Sequence, residues 1–124
     1  MDDFKYINDT YGHDVGDEVL FRTSKIIREC AGEQDIPARF GGDELAIIVN
    51  NSNDHLVLDM VHTIQERIRC LSLPYQKKYF FTISIGVSCA KEKTSIMNWI
   101  KEADEMLYEV KRNGKNGFRM QNNK

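Results

Sequence analysis

Gly41-Gly42-Asp43-Glu44 places two glycines directly ahead of two carboxylates, between an extended lead-in and the β-prone run Leu45-Ala46-Ile47-Ile48-Val49. The pattern predicts a hairpin with its acids at the tip. Glycine permits tight turns and close approach to the backbone, and adjacent carboxylates suit a hard divalent cation. Such a tetrapeptide is an ordinary turn more often than a site, so its significance depends on the residues around it. Lys5 lies near the start and Lys115 and Arg119 near the end, three of the 17 Lys and Arg residues. Lysine offers a point charge and arginine a forked donor set, although solvated tail charges are the commoner fate of such residues.

The elements that must position these groups follow from periodicity. Asn8 to Gly16 reads as a polar, glycine-containing loop. From Asp17, Leu20, Ile26, Ile27, Cys30 and Ala31 recur at helical spacing, and the helix ends near Gly32. Pro37 to Phe40 and Leu45 to Val49 form the hairpin arms, and Asn50 to Asp54 is a turn. Val57, Met60, Val61, Ile64, Ile68 and Leu71 mark a second helix. Phe81, Ile83, Ile85, Val87 and Cys89 alternate with Thr82, Ser84, Gly86 and Ser88, predicting a strand with one buried face. Ile96, Ile100, Ala103, Leu107 and Val110 define a third helix, and Phe118 to Met120 a short closing strand.

Bulk properties narrow the class. The 124 residues fit one domain, 1–124, with no proline-rich linker or repeat to divide it. A hydrophobic share of 41% with 29% charged residues is that of a soluble globular protein. The net charge of −2 gives no general attraction to nucleic acid or anionic lipid. No apolar run approaches the ~20 residues of a membrane span, and the expected place is the cytoplasm, either free or as the cytoplasmic part of a larger membrane-associated protein. Cys30, Cys70 and Cys89 read as reduced core thiols. His55 and His62 lack a companion ligand for zinc, and Met97, Trp99 and Met106 suit a packed helix face.

Four segments, taken together and in order, resemble the GGDEF family of diguanylate cyclases. They are Asp2-Asp3-Phe4-Lys5-Tyr6-Ile7-Asn8-Asp9 with the following Thr10-Tyr11-Gly12-His13-Asp14-Val15-Gly16-Asp17; Arg39-Phe40-Gly41-Gly42-Asp43-Glu44; Ser84-Ile85-Gly86-Val87-Ser88; and Ala103-Asp104 through Asn116-Gly117. The resemblance covers essentially the whole chain. It implies an α+β, ferredoxin-like or nucleotidyl-cyclase-like fold with helices on an antiparallel-rich sheet. The family's first, central strand would lie just before residue 1. The family motif Asp-x-Asp-x-Phe-Lys-x-x-Asn-Asp places its second aspartate at Asp2 and its first, a metal ligand, immediately before Met1. The chain is therefore expected to be an N-terminally truncated domain, with Met1 an internal residue of a longer protein or a start assigned too late. Unpaired sheet edges would then be repaired by swapping or dimerisation, or stability would fall.

The resemblance also implies a site. Asn8 and Asp17 would read guanine, whose Watson–Crick edge presents two adjacent donors to a carboxylate, while an amide can donate and accept beside it. Adenine would leave polar groups unpaired. Shaping a loop and capping a helix are the structural alternatives for this pair. Asp43 and Glu44 would bind Mg²⁺ or Mn²⁺, with Glu44 also able to assist the 3′-hydroxyl, and the backbone carbonyl of Met1 would complete the ligands. Phe4, Lys5, Gly41, Gly42, Lys115 and Arg119 would contact or make room for the substrate. Arg39 matches a basic family position, although a salt bridge would equally explain it. The family's product-feedback Arg-x-x-Asp reads Gly32-Glu33-Gln34-Asp35, without the arginine.

The implied activity is condensation of two GTP into cyclic di-GMP with release of pyrophosphate, by a homodimer under an upstream sensor domain. The alternative is an inactive GGDEF module that binds GTP and regulates a partner or neighbouring domain.

Overall fold

The structure, a computed structural model, describes residues 1–50, 53–71, 81–89 and 95–121. In order, the elements are α1 (Phe4–Tyr11), α2 (His13–Cys30), β1 (Ile36–Gly41), β2 (Glu44–Ile48), α3 (Asp54–Arg69), β3 (Ile85–Val87), α4 (Ile96–Arg112) and β4 (Phe118–Met120). The class is α+β, as expected. These elements fall into two compact units. The first contains Met1 and residues 3–81; the second contains Asp2 and the chain from Thr82 onward.

In the first unit, α1 replaces the loop expected over Asn8 to Gly16. Phe4, Ile7, Asn8 and Tyr11 stand at helical spacing, with Ile7 fully buried and the other three half-buried. The polar residue at the third of these positions hides the amphipathic pattern. Gly12, at φ 95°, separates α1 from α2, and its N–H caps α1 by donating to the Asn8 carbonyl at 2.9 Å. Only glycine takes that conformation without a steric penalty. From α2, Val15, Val19, Leu20, Ile26 and Ile27 are buried; from α3, so are Val61, Ile64 and Ile68. Full burial of each such side chain stabilises by about 1.5–3 kcal/mol. Asn53 starts α3 by accepting the Leu56 N–H at 3.0 Å, a side-chain N-cap. At the far end of α3, Arg67 pairs with Glu29 of α2 at 3.2 Å, and that hydrogen bond raises the pKa of the guanidinium.

β1 and β2 form the expected antiparallel hairpin, from Ile36 opposite Ile48 to Gly41 opposite Glu44. The register shifts between Arg39 and Gly41, a bulge that leaves Phe40 without an opposite partner. Asp35, the remnant of the feedback motif, has both carboxylate oxygens engaged, accepting from Gly32 N at 2.7 Å and Asn50 N at 3.0 Å. It fastens the entry and exit of the hairpin.

In the second unit, β3 and β4 pair in parallel, Ile85 with Phe118 through Val87 with Met120, with α4 as the crossover. The described strands thus form two two-stranded sheets, one antiparallel and one parallel. A Cβ at Gly86 would collide with the α4 backbone at Ala103 and Leu107, so this glycine sets how closely helix and strand approach. Trp99 donates its indole N–H to the Ser88 carbonyl at 3.1 Å, and Ser88 returns a bond to the Trp99 carbonyl at 2.9 Å.

Several expectations need correction. The regular strand is confined to Ile85–Val87 rather than spanning Phe81 to Cys89. Its run does not have one wet face, because Ser84 is buried along with Phe81 and Ile83. Met97 is 78% exposed rather than packed. Cys70 is exposed, and Cys30 and Cys89 are only half-buried, so none is a core thiol.

Candidate functional site

The α1–α2 junction carries the clearest polar feature of the first unit. The side-chain oxygen of Asn8 is buried and accepts no hydrogen bond. It rests against the backbone of Gly16 so closely that a Cβ there would overlap it. The next residue of α2 is Asp17, whose side chain is exposed. Gly16 therefore brings the Asn8 amide to the residue preceding Asp17, uniting the two expected base-reading positions. A buried, unpaired acceptor costs about 1–3 kcal/mol. A glycine inside a helix costs about 1 kcal/mol more than alanine. Both costs fall at one place, and a ligand that donates to Asn8 would offset the first. Gly16 was not singled out in the sequence as a site residue; glycine within a helical pattern was the available signal.

At the hairpin tip, Arg39 donates from Nε and Nη2 to the Gly42 carbonyl at 3.1 and 2.8 Å. It clamps the turn instead of forming a salt bridge. Neither Gly41 nor Gly42 adopts positive φ, and a Cβ at either would meet no atom within 4 Å. The turn itself does not demand these glycines, contrary to expectation; what they keep is open space beside the acids. Asp43 is half-buried and Glu44 exposed. The main-chain nitrogen of Met1 donates to the Asp43 carbonyl at 3.3 Å, and Met1 itself is buried. The Met1 backbone is therefore held at the tip. Carboxylate and main-chain carbonyl oxygens, which these residues carry, are the donor type that a hard divalent cation takes. Among the described residues, no three His, Cys, Asp or Glu side chains group as a metal cage.

Asp3 precedes α1 in a left-handed conformation, φ 57°, and makes no side-chain cap to the helix. The first-turn N–H groups, those of Phe4 and Lys5 among them, therefore take no bond from a capping side chain. Unpaired N–H groups at a helix start favour anions. Lys5 is exposed, and Ile7 alone in α1 is fully buried.

In the second unit, Lys115 and Arg119 line one cavity of about 240 Å³, with Glu109 and Asn113 also on its wall. The turn that carries Lys115 is unusual. Gly114, Lys115 and Asn116 all have positive φ, 107°, 63° and 51°. For the two that are not glycine this costs roughly 1–2 kcal/mol each. The turn is pinned from within the unit. Asn116 N donates to Asp2 Oδ2 at 3.1 Å and to Ser84 Oγ at 3.2 Å. Asp2 is only 3% exposed, and its carboxylate also accepts from Thr82 Oγ1 and Ser84 Oγ, each at 2.7 Å. Asp2 N completes the set by donating to the Thr82 carbonyl at 3.1 Å. Asp2 is thus a fully engaged structural group, not a carboxylate available to a metal. Residues so far apart in the chain leave no periodic trace of this cluster.

A larger groove, about 620 Å³, runs between α2 and α3. Two ion pairs lie on its wall, Arg22 with Glu18 at 2.8 Å and Arg67 with Glu29 at 3.2 Å, and Lys25 also lines it.

Comparison with known proteins gives the family. The model of the diguanylate cyclase GGDEF domain matches residues 1–117, and the chain belongs to that family. It is 39% identical over 125 aligned residues to diguanylate cyclase A of Treponema denticola, covering 99% of this chain and 34% of that protein. The chain thus spans about a third of the length of that relative. Among solved structures, it is similar to the coiled coil and GGDEF domain of DgcB from Caulobacter crescentus in complex with c-di-GMP. There the TM-score is 0.91 at 28% identity, over 97% of this chain and 65% of that one. It is also similar to the active GGEEF domain of a diguanylate cyclase from Vibrio cholerae, with a TM-score of 0.88 at 29% identity over 99% and 79% of the two chains. Among the described residues, no helix is long and apolar enough to cross a membrane.

Proposed function

We propose that this chain is a diguanylate cyclase domain, condensing two GTP molecules into cyclic di-GMP and releasing two pyrophosphates. The observation that carries the proposal is the buried, unpaired oxygen of Asn8 held against Gly16, one residue before Asp17. Asp17 accepts from the two donors of guanine, and Asn8 meets the adjoining edge. ATP is refused because its donor–acceptor edge leaves buried polar groups without partners.

The uncapped start of α1 at Phe4 and Lys5 is assigned to phosphate oxygens, as are Lys115 and Arg119. Gly41 and Gly42 keep open the approach to the hairpin tip. A divalent cation, magnesium or manganese, held by Asp43, Glu44 and the Met1 carbonyl would neutralise charge at phosphorus and acidify the attacking hydroxyl. In each half-reaction a 3′-oxygen bonds to the α-phosphorus of the other nucleotide, and the bond from that phosphorus to the pyrophosphate oxygen breaks. The hydroxyl proton leaves to Glu44 or to water. One domain holds one GTP, so two copies must face each other, and a homodimer is part of the proposal. So is control by a sensor domain in a longer polypeptide, at the cytoplasmic side of the cell.

Incubation of the chain with GTP and Mg²⁺, with products resolved by chromatography and mass, tests the activity. Cyclic di-GMP is expected. Retention of GTP on a folded chain without product would favour the regulatory, non-catalytic alternative, and failure to bind GTP would refute both.

A further inference from the structure

We infer that Asp2 is a positioning residue for Lys115, so that this buried carboxylate governs recognition of the triphosphate without touching it. The inference rests on the proposed phosphate role of Lys115. Its structural basis lies wholly within the second unit.

Lys115 sits between Gly114 and Asn116 in three consecutive residues of positive φ, a conformation that an unsupported chain would not keep. Two groups of bonds hold it. Lys115 N donates to the Val110 carbonyl at 3.0 Å, which ties the turn to the last turn of α4. Asn116 N donates to Asp2 and Ser84, which ties its other side to the strand region. The Asp2 carboxylate organises that second anchor, since it also accepts both hydroxyls, Thr82 and Ser84, and so orients the serine toward Asn116. Gly117, just beyond, accepts from Ile85 N at 3.0 Å and starts the β3–β4 ladder. Lys115 is therefore fixed at its backbone by a group two residues from the start of the chain. Both acceptor oxygens of the carboxylate are used in this arrangement. An amide in its place would offer one acceptor oxygen and two donors, where three donors now converge.

The test compares the Asp2→Asn chain with the parent in two measurements. Hydrogen exchange at the amides of residues 114–117, without nucleotide, reads the turn itself; at least a tenfold loss of protection is expected. Calorimetric titration with GTP and with GMP reads the consequence. Asp2→Asn is expected to weaken GTP about tenfold, to leave GMP within twofold, and to add nothing further when combined with Lys115→Ala. Thr82→Val removes a donor that does not touch Asn116, and should leave the GTP-to-GMP ratio intact. If Asp2→Asn does not fold, Ser84→Ala replaces it, with the same loss of protection expected and a smaller loss of GTP affinity. Unchanged exchange at 114–117 overturns the positioning role whatever the nucleotide data. Equal losses for GTP and GMP, or independent losses from Asp2→Asn and Lys115→Ala, also overturn it. If the parent chain binds neither nucleotide, the functional reading fails and the link to triphosphate falls with it, while the exchange result separately decides whether Asp2 holds the turn.

Discussion

Asn8 and Asp2 are both polar, lie six positions apart, and have opposite circumstances. The Asn8 oxygen is buried with no donor. The Asp2 carboxylate is buried with three donors, two hydroxyls and one backbone N–H. Burial of a polar group is therefore no guide to its role until its partners are counted. Where the protein supplies every partner, the group is scaffolding; Asn8, like Gln65 and Gln121, keeps a buried side-chain atom without one. A protein of marginal stability, typically about 5–15 kcal/mol, does not keep an orphaned acceptor and an in-helix glycine together without a return.

Substitutions can break this contrast or make it sharper. Asp2→Ala should have the largest effect, a loss of about 3 kcal/mol in unfolding free energy by urea titration, because buried donors lose their acceptor. A loss below about 0.5 kcal/mol would mean that Asp2 is not scaffolding. Asn8→Ala should do the reverse, with GTP affinity falling about thirtyfold, some 2 kcal/mol, while the urea midpoint stays level or rises because an unpaired buried acceptor has gone. A destabilised Asn8→Ala chain with unaltered GTP affinity would erase the distinction. Gly16→Ala should weaken GTP about tenfold by displacing the Asn8 amide, with the gain in helix propensity, about 1 kcal/mol, offsetting the crowding. Arg39→Ala is expected to matter least, about 0.5–1 kcal/mol from two exposed bonds to one carbonyl, read by denaturation.

The same contrast explains what could be read without coordinates. The hairpin, α3 and α4 were legible because apolar periodicity and local caps fix them over short spans. Asn8 and Asp17 were paired only through the family resemblance, since on their own they read as a loop former and a helix cap. α1 was not legible, because Asn8 stands where an apolar residue would have completed the helical stripe, so the group that makes the candidate site interesting also conceals the helix carrying it. The Asp2 cluster was invisible for a different reason. Thr82 and Ser84 alternate with Phe81 and Ile83 as solvent-facing residues do, and only a distant carboxylate makes their burial tolerable. Gly41 and Gly42 were anticipated as turn formers, yet their backbone does not need glycine and the space beside them is open.

The bond from Asn116 to Asp2 also has a consequence in time. It closes a separation of 114 residues, and contacts so distant are the slow ones in folding. At a ribosome adding about 5–20 residues per second, Asp2 would wait roughly 6 to 23 seconds before its backbone partner is synthesised. The left-handed turn carrying Lys115 can therefore acquire its final support only once residue 116 has been made, 114 residues after Asp2.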